Sequence, residues 1–202
     1  MQRNESVHKL TFTALLIAVG IVIPMFSPLK IVLEPASFTL ASHVPIFMSM
    51  FISPGVAAAV CVGTTFGFFF GGFPPVIVLR AATHIIWAAG GAFYLRKREN
   101  LLGSMGTSQP FSFLIGLVHG ALEVAVVSAF YFSNSMGEVW YQNGFFLTVM
   151  GLVGLGSVLH SMVDFLIAMA VLRVFARQKS LRQIFHLPCP LHPPDAANEH
   201  DE

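Results

Sequence analysis

Charged side chains are scarce in this chain: only 10% of its 202 residues are Asp, Glu, Lys or Arg, against 55% hydrophobic. A chain so poor in charge cannot keep its surface in water, which excludes an ordinary soluble domain. The net charge of +1 supplies no basic face for nucleic acid. Cysteine is nearly absent as well, with Cys61 in an apolar segment and Cys189 in a polar end, so neither a disulfide framework nor a CxxC metal pattern exists. No GxxxxGK(S/T) phosphate loop, HExxH zinc motif or GxSxG elbow occurs, and no catalytic residue is expected. What the chain has in abundance is long apolar runs.

Breakers divide those runs into six spans, at about residues 10–27, 38–53, 55–71, 75–95, 111–132 and 145–175. Pro28 ends the first, and the Ser53-Pro54-Gly55 turn makes the second and third a tight helical hairpin. The last run is longer than the ~20 residues a crossing needs. Ile17 to Pro24 has no small-residue cleavage site, so the first span does not read as a removable signal peptide. The expectation is an all-α membrane protein, a six-transmembrane-helix bundle over residues 1–177. A proline-rich, acidic, disordered tail over residues 178–202 completes it.

Basic residues orient the bundle. With the N-terminus in the cytosol, Arg3, Lys9, Arg96, Lys97, Arg98, Arg173, Arg177, Lys179 and Arg182 all fall inside and Lys30 alone lies outside, so both termini are cytoplasmic. At ~1.5 Å per residue, His43 and Arg80 then lie roughly 7 Å in from the outer face, with His84 one turn deeper. Glu123 lies roughly 14 Å from the outer end of its span, with His119 below it. His43, Arg80, His84 and Glu123 are expected to converge in the outer half, and His160 with Asp164 to lie nearer the cytosol.

Ionisable residues at such depths cost at least ~2.5–3.5 kcal/mol and are functional candidates by default. Arg80 has two readings: a charge-assisted fork for a ligand carboxylate, or a structural ion pair with Glu123 or Asp164. His160 and Asp164, at i and i+4, read first as a helix-locking pair, and His119 reads equally as a packed histidine. Of the outer connections, residues 28–39 mix apolar side chains with Lys30 and Glu34 between prolines, which suits a structured lid. Trp140, Tyr141 and Asn143 sit on another, where aromatics serve as interfacial anchors or face a ligand. Small residues recur at helix-packing spacing: Ala14 and Ala18, then Gly63, Gly67 and Gly71, then Gly116 and Gly120.

Six short spans, the AxxxA on the first helix and the lid-like first loop resemble the substrate-binding S components of energy-coupling factor (ECF) vitamin transporters. The stretches Ser42-His43-Val44-Pro45-Ile46-Phe47, Gly72-Phe73-Pro74-Pro75-Val76-Ile77-Val78-Leu79-Arg80-Ala81 and Leu159-His160-Ser161-Met162-Val163-Asp164 look most like the niacin-specific members, often called NiaX. The likeness runs from about Lys9 to Arg173.

The resemblance implies a high-affinity vitamin-binding subunit of the cell membrane that carries no cofactor. It would dock through Ala14 and Ala18 onto a transmembrane coupling subunit, while two partner ATPases use the ATP. Nicotinate offers a carboxylate to Arg80, a ring nitrogen to His84 or His43, and an aromatic face to Trp140 or Tyr141. Another small heteroaromatic vitamin or precursor, such as hydroxymethylpyrimidine, is the first alternative. A metal-ion transporter is the second, since His119/Glu123 and His160/Asp164 each put two ligand types on one helix face. The Met1-Gln2 start differs from the Met-His start of nickel and cobalt S components, and no resident metal is expected. A serine protease built on Ser157 and His160 lacks its elbow, and a self-sufficient transporter lacks an internal repeat.

Overall fold

The protein is a helical bundle, described by a computed structural model over residues 2–33 and 36–185. Glu34 and Pro35 of the expected lid and residues 186–202 of the expected tail lie outside the described residues. Helix α1 (Gln2–Phe26) leads into strands β1 (Lys30–Leu33) and β2 (Ala36–Thr39). Helices α2 (Val44–Met50), α3 (Pro54–Phe70) and α4 (Pro75–Lys97) follow, then a 3-10 turn at Glu99–Leu102. The remainder is α5 (Met105–Phe132), the short α6 (Val139–Gln142), a π-helix (Phe146–Leu155), α7 (Gly156–Phe175) and α8 (Lys179–Ile184).

Among the described residues, four helical stretches are long and apolar enough to cross a bilayer: Ser6–Phe26, Pro75–Lys97, Met105–Phe132 and the continuous Phe146–Phe175. Large apolar side chains such as Phe66, Phe70, Ile86, Leu114, Phe146 and Leu159 point outward, while Ser49, Thr64, His119, Ser161 and Asp164 are buried. An apolar outer surface around buried polar groups marks a multi-pass membrane protein, whose polar groups must find partners within the bundle.

The segment expected to form a lid is a β-hairpin. β1 and β2 pair antiparallel with Lys30 opposite Thr39 and Leu33 opposite Ala36. Strand and turn take up the first part of the expected second span at residues 38–53, which corrects the reading of that stretch as one continuous helix. Ala41 bends the chain with φ +67°, and α2 begins only after it, with a proline in its first turn. Seven residues at ~1.5 Å each reach only about 10 Å, a third of a ~30 Å hydrocarbon core. α2 is instead the centre of the bundle, with Pro45 to Met50 all buried. Phe47 packs on Trp87 at 5.2 Å and edge-on to Phe165 at 5.3 Å. Ser53 then caps α3 by accepting the Val56 N–H at 3.2 Å, and Pro54 occupies the first turn, where no N–H is needed.

The glycines of α3 receive α1. A Cβ added at Gly63 would lie 2.6 Å from Ile17 Cδ1, and one at Gly67 would collide with Ile21, so the two backbones approach as GxxxG spacing allows. Ile17 and Ile21 therefore define the inward face of α1, and Ala14 and Ala18 are exposed on another. On α5, Gly116 and Gly120 lie against Val158 and the Gly154 carbonyl. The expected disordered tail also needs moving: Lys179–Ile184 is helical, and Phe185 is buried against Phe12 and Phe175 at 5.8 and 5.7 Å.

Candidate ligand-binding site

Five elements bring polar side chains to one place at the hairpin end of the bundle. The turn before α2 supplies Ser42 and His43, α4 supplies Arg80 and His84, α5 supplies His119 and Glu123, and α7 supplies Ser157, His160 and Asp164, with β2 alongside. The spacings within α4, α5 and α7 are all i, i+3 or i, i+4, so each helix turns its polar residues to one side.

Asp164 organises the turn. Its Oδ1 accepts the Ala41 N–H and its Oδ2 the His43 N–H, both at 2.8 Å, and Oδ2 lies 3.2 Å from His43 Nδ1. The left-handed Ala41 costs of order 1–3 kcal/mol, and two charge-assisted bonds to adjoining N–H groups offset it. His160 stands 3.4 Å from the same carboxylate and 3.1 Å from Ser42 Oγ. The pair expected nearer the cytosol thus belongs to the same cluster as His43. The expected pairing within α7 is kept at 3.4 Å, and the same carboxylate also ties α7 to the turn before α2.

Glu123 organises the other side. Arg80 Nη2 donates to its Oε2 at 2.8 Å, and the Ser157 hydroxyl donates to the same oxygen. Arg80 therefore pairs with Glu123, not with Asp164. The guanidinium is not used up: Arg80 Nε is buried without a hydrogen-bond partner. His119 Nε2 is 3.3 Å and His84 Nε2 3.7 Å from Glu123 Oε1, but neither forms a hydrogen bond, and His119 Nδ1 has no partner either. The short His119 contact is an ion-pair distance without hydrogen-bond alignment. Each orphaned buried polar group costs ~1–3 kcal/mol. A bundle that accumulates several in one spot is arranged for something to fill them.

Above the cluster is a cavity of about 190 Å³, bounded by the hairpin's Phe38 and Thr39, by Gly20 and Pro24 of α1, and by Phe68 and Phe73. Arg80, His43, His84, Glu123, Ser157 and His160 form its polar wall. This is below the ~300–1,000 Å³ of drug-sized sites and suits a single small ring. Apolar rings on one side and a guanidinium with imidazoles on the other match a flat, anionic, heteroaromatic molecule.

His43, Arg80, His84 and Glu123 converge as the sequence implied. Trp140, Tyr141 and Asn143 do not join them, which corrects their expected place on the ligand face. Trp140 packs on Val127, Val149 and Val153, Tyr141 accepts the Met136 N–H at 3.2 Å while lying against Tyr131, and Asn143 is exposed at the end of α6. Phe38 takes the aromatic position instead, 5.5 Å from His160. Ser42 and Ser157 are additions to the expected site; the i, i+3 relation of Ser157 to His160, weighed in the sequence only for a protease, is the signal that could have found Ser157. No protein-family model matches the chain, and no solved structure matches it. The Niacin transporter NiaX of Lactococcus lactis subsp. cremoris (strain MG1363) is 39% identical over 175 residues, covering 87% of this chain and 78% of that protein.

Proposed function

The chain belongs to the NiaX family of ECF S components, and from that premise we propose that it is the high-affinity nicotinate-binding subunit of an ECF importer. The observation that carries the reading is Arg80, whose Nη2 is held by Glu123 while its Nε remains unpaired at the wall of a small cavity. The guanidinium receives the carboxylate, oriented by Glu123. His84 or His43 meets the ring nitrogen, and Phe38 covers the ring face.

The chain sits in the cell membrane with both termini in the cytosol. α2, too short to cross alone, and the 17-residue α3, at the lower limit of a crossing helix, complete a six-segment bundle with the four long helical stretches. Ala14 and Ala18, exposed on α1, dock onto a transmembrane coupling subunit served by two ATPases, since the chain has no phosphate loop of its own. The chain itself catalyses nothing.

Titration of the purified protein in detergent with nicotinate, nicotinamide and hydroxymethylpyrimidine tests the reading. Saturable binding of nicotinate, tighter than of the other two, is expected. Tighter binding of hydroxymethylpyrimidine would move the protein to another substrate.

A further inference from the structure

We infer that His43, His84 and His119 hold a divalent first-row transition-metal ion, zinc being the best match, with Glu123 Oε1 beside it, at the floor of the cavity. The three imidazoles form an almost equilateral triangle. Their centroids are 5.0 Å (His43 to His84), 4.8 Å (His43 to His119) and 4.9 Å (His84 to His119) apart. Imidazoles bound to one tetrahedral ion through bonds of ~2.0–2.1 Å have their centres roughly 5 Å apart. Each of the three offers a ring nitrogen within 4.8 Å of the other two. Donor atoms around such an ion are about 3.3–3.4 Å apart, so ring rotations of roughly an ångström close the set.

The contacts of Glu123 point the same way. Its Oε1 stands 3.3 Å from His119 Nε2 and 3.7 Å from His84 Nε2 with no hydrogen bond to either. These distances suit neighbouring donors on one coordination polyhedron better than a donor and its acceptor. The other oxygen, Oε2, takes Arg80 and Ser157, which would fix the carboxylate from outside. His43 is oriented likewise. With Nδ1 against Asp164, its Nε2 is the nitrogen left for an ion, the carboxylate–imidazole–metal arrangement that sets ring orientation in known sites.

A rival grouping, His43, His160 and Asp164, also has ligand spacing. Its carboxylate already accepts two backbone N–H groups, and His160 Nε2 has a hydroxyl partner in Ser42, so nothing there is left unfilled. The orphaned imidazole nitrogens among the described residues belong to His84 and His119. Three neutral imidazoles and a carboxylate suit zinc, cobalt or nickel rather than magnesium or calcium. With the ion in place both His43 nitrogens and His84 Nε2 are taken, so the ring-nitrogen contact of the proposed function passes to His84 Nδ1 or to the ion itself.

The test uses the full chain, purified through a tag without histidines, stripped with chelator and reloaded with Co²⁺ or Zn²⁺. Expected are about one equivalent of metal per chain and the intense visible absorption of tetrahedral cobalt. His119→Phe should abolish both. His119→Cys, which keeps a ligand where the Phe variant may not fold, should add a sulfur-to-cobalt charge-transfer band absent from the wild type. Asp164→Asn should weaken metal affinity about 10–100-fold. Wild-type protein that retains no metal above background, or a Cys variant without the new band, overturns the inference. Nicotinate titration of the same stripped and reloaded samples keeps the two readings apart. Metal without nicotinate binding defeats only the vitamin reading, and nicotinate binding without metal defeats only this one.

Discussion

Asp164 holds His43 twice, accepting its backbone N–H at 2.8 Å and facing its Nδ1 at 3.2 Å, although the two are 121 positions apart in the chain. One carboxylate on α7 thereby fixes both where α2 begins and which way its first imidazole points.

Removing that carboxylate should loosen the whole site. Asp164→Ala leaves the Ala41 and His43 N–H groups buried and unpaired, at ~1–3 kcal/mol each, for a total loss of about 2–6 kcal/mol. Asp164→Asn keeps one acceptor oxygen and should lose roughly half as much. Thermal unfolding in detergent measures both, and an alanine variant as stable as the wild type would remove Asp164 from its structural role.

Arg80 is expected to bind the ligand carboxylate. Truncating one partner of a buried, hydrogen-bonded charge pair costs about 2–5 kcal/mol, so Arg80→Ala should weaken nicotinate binding roughly thirty-fold to several thousand-fold. Arg80→Lys should recover part of this, and nicotinamide, with no charge, should lose less. Because Arg80 also neutralises Glu123, the double variant Arg80→Met/Glu123→Gln is the control. It should regain stability but not nicotinate affinity, whereas recovery of both would make the arginine purely structural.

The hairpin should govern ligand escape through Phe38. A Cβ at Gly156 would lie 2.5 Å from Phe38 Cζ, so Gly156→Val must push that ring off His160. An aromatic contact is worth ~0.5–1.5 kcal/mol, which predicts nicotinate dissociation about two- to twelve-fold faster. Hydrogen exchange of the hairpin should slow on ligand binding in the wild type and less in the variant. Identical exchange with and without ligand would end the gating role.

Docking and binding should separate on α1. Ala14→Leu or Ala18→Leu thickens the exposed face without touching the cavity, so transport by the assembled complex should fall while nicotinate binding to the isolated chain survives. Parallel loss of both would assign these alanines to internal packing.

Orientation is open to labelling. In a background with Cys61 and Cys189 replaced by serine, single cysteines at Lys30 and Trp140 should react with impermeant reagents on intact cells, and one at Arg98 should not. Reaction at Arg98 would invert the topology.

Much of the site was legible because its residues break a strong rule. Arg80, His84, Glu123 and His43 stand out as ionisable groups in apolar runs, and helical spacing puts each pair on one face. Depth was less legible. Counting 1.5 Å per residue assumes continuous helices, but a strand, a left-handed Ala41 and a two-turn α2 occupy the second segment. His43 therefore meets His160 and Asp164, which the count had put on another level. Aromatic residues gave no such signal: Trp140 and Tyr141 have the composition of a ligand platform, yet Phe38, in a hairpin without hairpin-turn residues, is the ring over His160.

The ten residues of π-helix before α7 make this site sensitive to chain length rather than to side-chain identity. Such a segment closes i→i+5 rings and holds more residues per turn than the helix it feeds. The angular phase of everything downstream is thus set by how many residues it contains. Shortening or lengthening the stretch by a single residue would rotate the stripe of Ser157, His160 and Asp164 by roughly 80–100°. Asp164 would then swing away from Ala41, and Ser157 from Glu123, with every one of those side chains still present. An insertion or deletion within residues 146–155 is therefore a short route to a bundle that folds but has lost its cavity wall.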